Sequence, residues 1–192
     1  MSKKIREMTL CAMFAAIIVV MTVVPYTGYI SYSPANISIT TLHIPVILCA
    51  CLMGPLYGTI VGGVWGLTCL IKAFAEPIPA NVPFQNPLLS FVPRVIVGLV
   101  AALVFVLLAK KLKINRYVSA GITAFVGTLT NTVLVLSTYS AFGYLGNSGF
   151  AETVKTIFLT LIAVNGLIEL GAAIVIVPLL LAAIDKTSKK YK

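Results

Sequence analysis

The 192-residue chain is 59% hydrophobic and only 10% charged, with a mean hydropathy of +1.05 and a net charge of +9. Soluble domains carry about a quarter charged residues, so the composition excludes an ordinary soluble enzyme and points to a polytopic helical membrane protein. Eleven of the fourteen basic residues gather in three clusters, Lys3 to Arg6, Lys110 to Arg116 and Lys186 to Lys192. Such clusters read as cytoplasmic anchors, not as the single basic face of a nucleic-acid-binding protein.

In chain order, the first apolar run covers about 8–26 and leaves the cytoplasm. Its basic start mimics a signal peptide, but "TVVPYTGY" lacks a small-x-small cleavage pattern, so the run is expected to stay as a helix. A polar, aromatic outer loop follows at 26–42, ending near His43. The short run "IPVILCACLM" (44–53) returns inward and can extend backward through 38–43. "GPLYG" (54–58) is a tight inner turn, because Gly and Pro break helices and set turns. The third run, about 57–72, leads to a Pro-rich outer loop at 73–87. Runs at about 88–109, 118–142 and 154–184 complete the set, with "KKLKINR" inside and "GYLGNSGFAE" outside. The expectation is an all-α integral membrane protein of six transmembrane helices in one bundle, a single membrane domain over 1–192 with both termini in the cytoplasm.

Small residues recur at intervals of four. Gly58, Gly62 and Gly66 form one stripe, read as internal packing, and Ala12 and Ala16 form another. In lipid such stripes let backbones approach closely; for the alanines, packing within the bundle and packing against another protein stay open. Cys11, Cys49, Cys51 and Cys69 read as small membrane-embedded thiols. "GNSG" (146–149) resembles a rhomboid-type serine motif, but it falls in an outer loop, away from the one histidine, His43. "NIS" (36–38) fits a glycosylation sequon. The chain has no P-loop and no cluster with metal-site spacing.

Polar groups inside apolar runs carry most of the functional signal, since an ionisable residue within a span is costly. Arg94 lies roughly 9 Å below the outer end of the fourth run at 1.5 Å per residue. Asn165 and Glu169 share one face of the last run, being four apart. Asn131 sits near the middle of the fifth run with Tyr139 two turns above it. Together with Gln85 and Asn86 at the mouth, these residues can line an outward-facing polar cavity. Alternatively, Arg94 pairs with Glu169 and holds the bundle together. Lys72 and Glu76, at a helix end, read as a snorkelling anchor.

The stretch "LHIPVILCACLMGPLYGTIVGGVWGLTCLIKAF", followed by "FQNPLLSFVPRVIVG", resembles the substrate-binding S components of energy-coupling factor (ECF) vitamin transporters. The likeness extends over essentially the whole chain and includes a group assigned to pantothenate. It implies one micronutrient bound in an outer cavity built from helices four to six and capped by the loops at 26–42 and 73–87. It further implies assembly with an ECF transmembrane coupling protein and two cytoplasmic ATPases, in the plasma membrane of a prokaryote. ATP and Mg belong to those partners, with no cofactor in this chain. The subunit would topple in the bilayer to release its ligand, with Ala12 and Ala16 docking on the coupling protein. With its one tryptophan, Trp65, in the glycine-striped helix, the chain lacks an obvious aromatic-rich pocket, which disfavours a large flavin or folate ring. The planar fork of Arg94 suits a carboxylate, and Asn131, Asn165 and Tyr139 suit hydroxyls or an amide, so pantothenate fits. Riboflavin or a pyridoxine-like compound, and a stand-alone transporter coupled to protons through Glu169, are the alternatives.

Overall fold

The computed structural model describes residues 3–31, 38–78, 81–144, 152, 155, 159 and 164–190. The "GNSG" run and most of the sequon lie outside the described residues. Helix α1 (Lys3–Val23) leads into a two-stranded antiparallel hairpin, β1 (Tyr29–Ser31) and β2 (Ser38–Thr40). There follow α2 (His43–Met53), α3 (Pro55–Ala75), a 3-10 turn (Val82–Gln85), α4 (Pro87–Ser90) and α5 (Val92–Phe105). A π-helical turn (Val106–Lys111) ends that arm, before α6 (Arg116–Ala141) and α7 (Val164–Lys190). Among the described residues, five helical segments are long and apolar enough to cross a membrane.

The exception is α2. At 1.5 Å per residue its 11 residues reach roughly 16 Å, about half of a bilayer's hydrocarbon core. Every residue from His43 to Cys51 is buried, and the helix touches α1, α3, α5, α6 and α7. It is therefore the centre of the bundle. The backward helical extension through 38–43 is not what forms. Ser38–Thr40 is a strand, pairing Tyr29 with Thr40, Ile30 with Ile39 and Ser31 with Ser38. Two β-branched residues on β2, Ile39 and Thr40, opposite Tyr29 and Ile30 favour the pleated pair over a helix. Gly54 then turns the chain into α3 with φ of 89°, a left-handed backbone that glycine adopts freely, and Pro55 starts the helix.

The glycine stripe packs internally. A Cβ on Gly58 would stand 2.8 Å from the Gly98 carbonyl oxygen, and one on Gly66 would stand 2.8 Å from Phe91 Cα. Between them, Gly62 lies against the backbone of Arg94. Thus α3 and α5 meet backbone to backbone, as small residues permit in lipid. On α1, Cys11, Phe14, Ile18 and Thr22 turn inward, leaving Ala12 and Ala16 exposed on the other side. All four cysteines are free, buried thiols.

The two ends of the bundle differ. At the basic end, Arg116 Nε meets Asp185 Oδ2 at 2.9 Å, tying the start of α6 to the end of α7, and the Tyr57 hydroxyl donates to Glu7 at 3.3 Å. The hairpin and the 76–86 segment occupy the opposite end. Substituting Gly98→Val should lower unfolding stability in detergent by roughly 1–3 kcal/mol, because two backbones must separate. Ala12→Leu, on an exposed face, should change it by less than about 0.5 kcal/mol. A thermal-unfolding series on both variants checks the contrast.

Candidate ligand cavity

At the hairpin end lies a cavity of about 450 Å³, within the usual range for small-molecule sites. Val23, Pro25 and Tyr26 wall it at the end of α1, and Tyr29 and Thr40 reach it from the hairpin. Cys69, Lys72 and Ala73 come from α3, Phe84 from the 3-10 turn, and Arg94 from the first turn of α5. Among the described residues, α6 and α7 contribute no lining; the lining side chains come from the first, third and fourth runs and the segments that connect them.

Arg94 is 5% exposed, and its position follows from the proline before it. In a continuous helix the residue-93 amide would donate to the Leu89 carbonyl, but Pro93 has no N–H. The Arg94 guanidinium takes its place, Nη1 donating to the Leu89 oxygen at 2.6 Å. Its Cζ sits 5.2 Å from the Trp65 ring centroid and 5.3 Å from that of Phe84, within cation–π reach. No ion pair joins Arg94 to Glu169, both of which are described; the internal-pair reading is overturned. Instead Glu169 Oε1 accepts the Thr40 backbone amide at 2.5 Å. The Arg94 charge is thus buried with no carboxylate partner among the described residues, and its Nε has no hydrogen-bond acceptor there.

Two more buried polar atoms stand beside it. The Tyr29 hydroxyl and Trp65 Nε1 are buried close to each other and to the Cys69 thiol, and neither makes a well-formed hydrogen bond among the described residues. Burial pushes the Tyr29 phenol above its usual range, with the Cys69 thiol adding and Arg94 opposing, so at neutral pH it is a donor. Lys72 pairs with Glu76 at 3.0 Å and lies 5.8 Å from the Tyr29 ring centroid, so the expected anchor pair also rims the cavity. The combination offers hydrogen-bond donors and one unneutralised cation. It matches a ligand rich in acceptors, a carboxylate above all.

The remaining sequence candidates are distributed more widely. Gln85 donates to the Ala73 carbonyl at 3.0 Å, and Asn86 caps α4 by accepting from the Leu88 amide at 3.0 Å. Both stabilise the loop and lie outside the cavity lining described. Tyr139 stacks edge-on against Phe84, ring centroids 5.9 Å apart, so it backs a lining residue. Asn131 Oδ1 is buried in α6 without a partner among the described residues. Asn165 opens α7, but its side chain lies outside the described set. Tyr26, Tyr29 and Phe84, with Trp65 behind Arg94, make the surroundings more aromatic than the sequence suggested. A scan for spans does not notice these residues, because three of them sit in connecting segments.

Comparison with known families identifies the setting. Residues 6–181 match the family described as "ECF transporter, substrate-specific component". The chain belongs to this family. It is therefore a multi-pass membrane protein serving as a transporter's substrate-binding component, and not an enzyme. Among its relatives is the pantothenic acid transporter PanT of Lactococcus lactis subsp. cremoris, 30% identical over 95% of each chain. Another, the pantothenate transporter PanT of Leuconostoc mesenteroides subsp. mesenteroides, is 32% identical over 54% of this chain and 52% of that protein.

In this S component, the Arg94 contact to Leu89 predicts a coupling between neighbours. Arg94→Met should destabilise the protein by about 1–2 kcal/mol less when Pro93→Ala restores a backbone donor for that carbonyl. A double-mutant cycle by detergent or SDS unfolding measures the difference.

Proposed function

We propose that this S component binds pantothenate, with the ligand carboxylate on Arg94. The observation that carries this reading is the buried guanidinium in the 450 Å³ cavity, without a carboxylate partner among the described residues and within cation–π reach of two aromatic rings. Such a charge is costly in a bilayer unless an anion completes it. The full-length relative named for pantothenic acid supports the choice of ligand. Pantothenate presents a carboxylate, an amide and two hydroxyls. The Tyr29 phenol is a second donor for the carboxylate, and Thr40 and Asn81, which line the same cavity, are candidates for the polar remainder, with Tyr139 behind Phe84.

The surrounding arrangement is a six-helix membrane domain over 1–192, with α2 and its hairpin strand as the short second crossing. Both termini lie in the cytoplasm, and the cavity opens on the outer side. The three basic clusters at one end support that orientation. Transport follows the family scheme: an ECF transmembrane coupling protein and two ATPases receive the loaded subunit, which topples and releases the vitamin inside. The exposed alanine face of α1 is suited to that docking. No cofactor is assigned to this chain; ATP and Mg act on the ATPases.

Calorimetric titration of the purified protein should give tight pantothenate binding. Pantothenol, in which an alcohol replaces the carboxylate, should bind at least about 30-fold more weakly, the cost of leaving the buried cation unmatched. Equal affinity for the two would remove the carboxylate assignment. Arg94→Ala should erase the preference between the two ligands.

Bulky replacement at Ala12 or Ala16 should reduce pantothenate uptake by cells at least about tenfold, as expected when a close helix contact is blocked. Affinity of the isolated subunit should be unchanged. Parallel loss of both would exclude the docking role.

A further inference from the structure

Glu169 is a carboxylate inside a membrane span whose described bond is to the backbone of the hairpin. The register explains why that amide is available. The Thr41 amide donates to the Gly28 carbonyl at 3.0 Å, making that level of the ribbon a hydrogen-bonded one. Antiparallel pairs alternate, so Tyr29 and Thr40 form a non-hydrogen-bonded pair and the Thr40 N–H points outward from the ribbon. An outward amide on a two-stranded ribbon has no strand to receive it. The Glu169 Oε1 receives it at 2.5 Å, across 129 residues of sequence.

The same register puts Tyr29 and Thr40 on one face at the closest cross-strand spacing, and both line the cavity. A chain of contacts therefore runs from α7 through Glu169 to β2 and across to Tyr29, which lines the same cavity as Arg94. We infer that Glu169 is a positioning residue that latches the hairpin to α7, holding the Tyr29 phenol beside Arg94 without itself contacting the ligand. This rests on the reading of the cavity as the pantothenate site. It assigns Glu169 to neither a substrate contact nor a proton-coupling role.

Two measurements on the wild type, Glu169→Gln and Glu169→Ala test it. The first is hydrogen–deuterium exchange of peptides covering 38–42 in the ligand-free protein. The second is the dissociation rate of radiolabelled pantothenate. A glutamine side-chain oxygen still accepts the Thr40 amide, whereas alanine offers nothing. Glu169→Ala should speed both exchange and release by about tenfold or more, and Glu169→Gln should stay within about threefold of wild type. Unchanged exchange in the alanine variant overturns the latch. Faster exchange with unchanged release overturns its role in positioning Tyr29. Fast release from the glutamine variant with exchange still protected overturns the proposal in favour of a direct charge contact with the ligand. If the wild type binds no pantothenate, the reading of the cavity fails, while the ligand-free exchange still decides the latch.

Discussion

The hydrogen bond from Arg94 to the Leu89 carbonyl is where the fold and the cavity meet. Pro93 removes a backbone donor inside an apolar segment, where an unpaired carbonyl is expensive. The arginine side chain restores the bond and is thereby turned back along its own helix toward the hairpin end. One interaction fills a defect in α5 and aims a cation at the cavity. It uses a single guanidinium nitrogen, which leaves the charge itself unneutralised. The Trp65 and Phe84 rings both lie within cation–π reach of it but cannot take its protons.

The cavity is walled by the ends of helices and by short connecting structure, not by the middles of spans. This follows from the brevity of α2. A central helix that reaches only part of the way leaves the hairpin end of the bundle to be completed by other residues, and the β-ribbon and the 3-10 turn supply them. Ribbons and turns leave backbone groups unpaired, and the side chains nearby answer them one by one: Gln85 to Ala73, Asn86 to Leu88, Glu169 to Thr40. Polar residues that look in sequence like ligand contacts are in these cases holding the scaffold of the cavity.

That substitution explains what could be read from the sequence and what could not. Long apolar runs and the glycine stripe follow from local chemistry, and the structure has them near the expected positions, while the turn expected over 54–58 contracts to Gly54 because Pro55 already opens α3. Arg94 was legible because a charge in such a run demands a reason. The hairpin was not: residues 38–40 form only three positions of a strand, too few for a periodic pattern to separate them from an adjoining helix. The destination of Glu169 was not legible either, because its bond to Thr40 joins residues 129 apart in the chain. Tyr29 and Phe84 escaped for a similar reason. Aromatic residues in loops are ordinary in sequence, and only the folding of two loops over one end brings them together.

The contact between α3 and α5 has a bearing on how such a protein diversifies. Gly58, Gly62 and Gly66 place one backbone directly on another, and the Arg94 main chain is part of that contact. No layer of side chains lies between to absorb a change, so the guanidinium is anchored to a surface with little slack. The hairpin and the 3-10 turn, in contrast, touch the cavity through single side chains. Sequence drift that retunes ligand preference has its cheapest routes there, while the cationic floor stays as a fixed reference against which new ligands are measured.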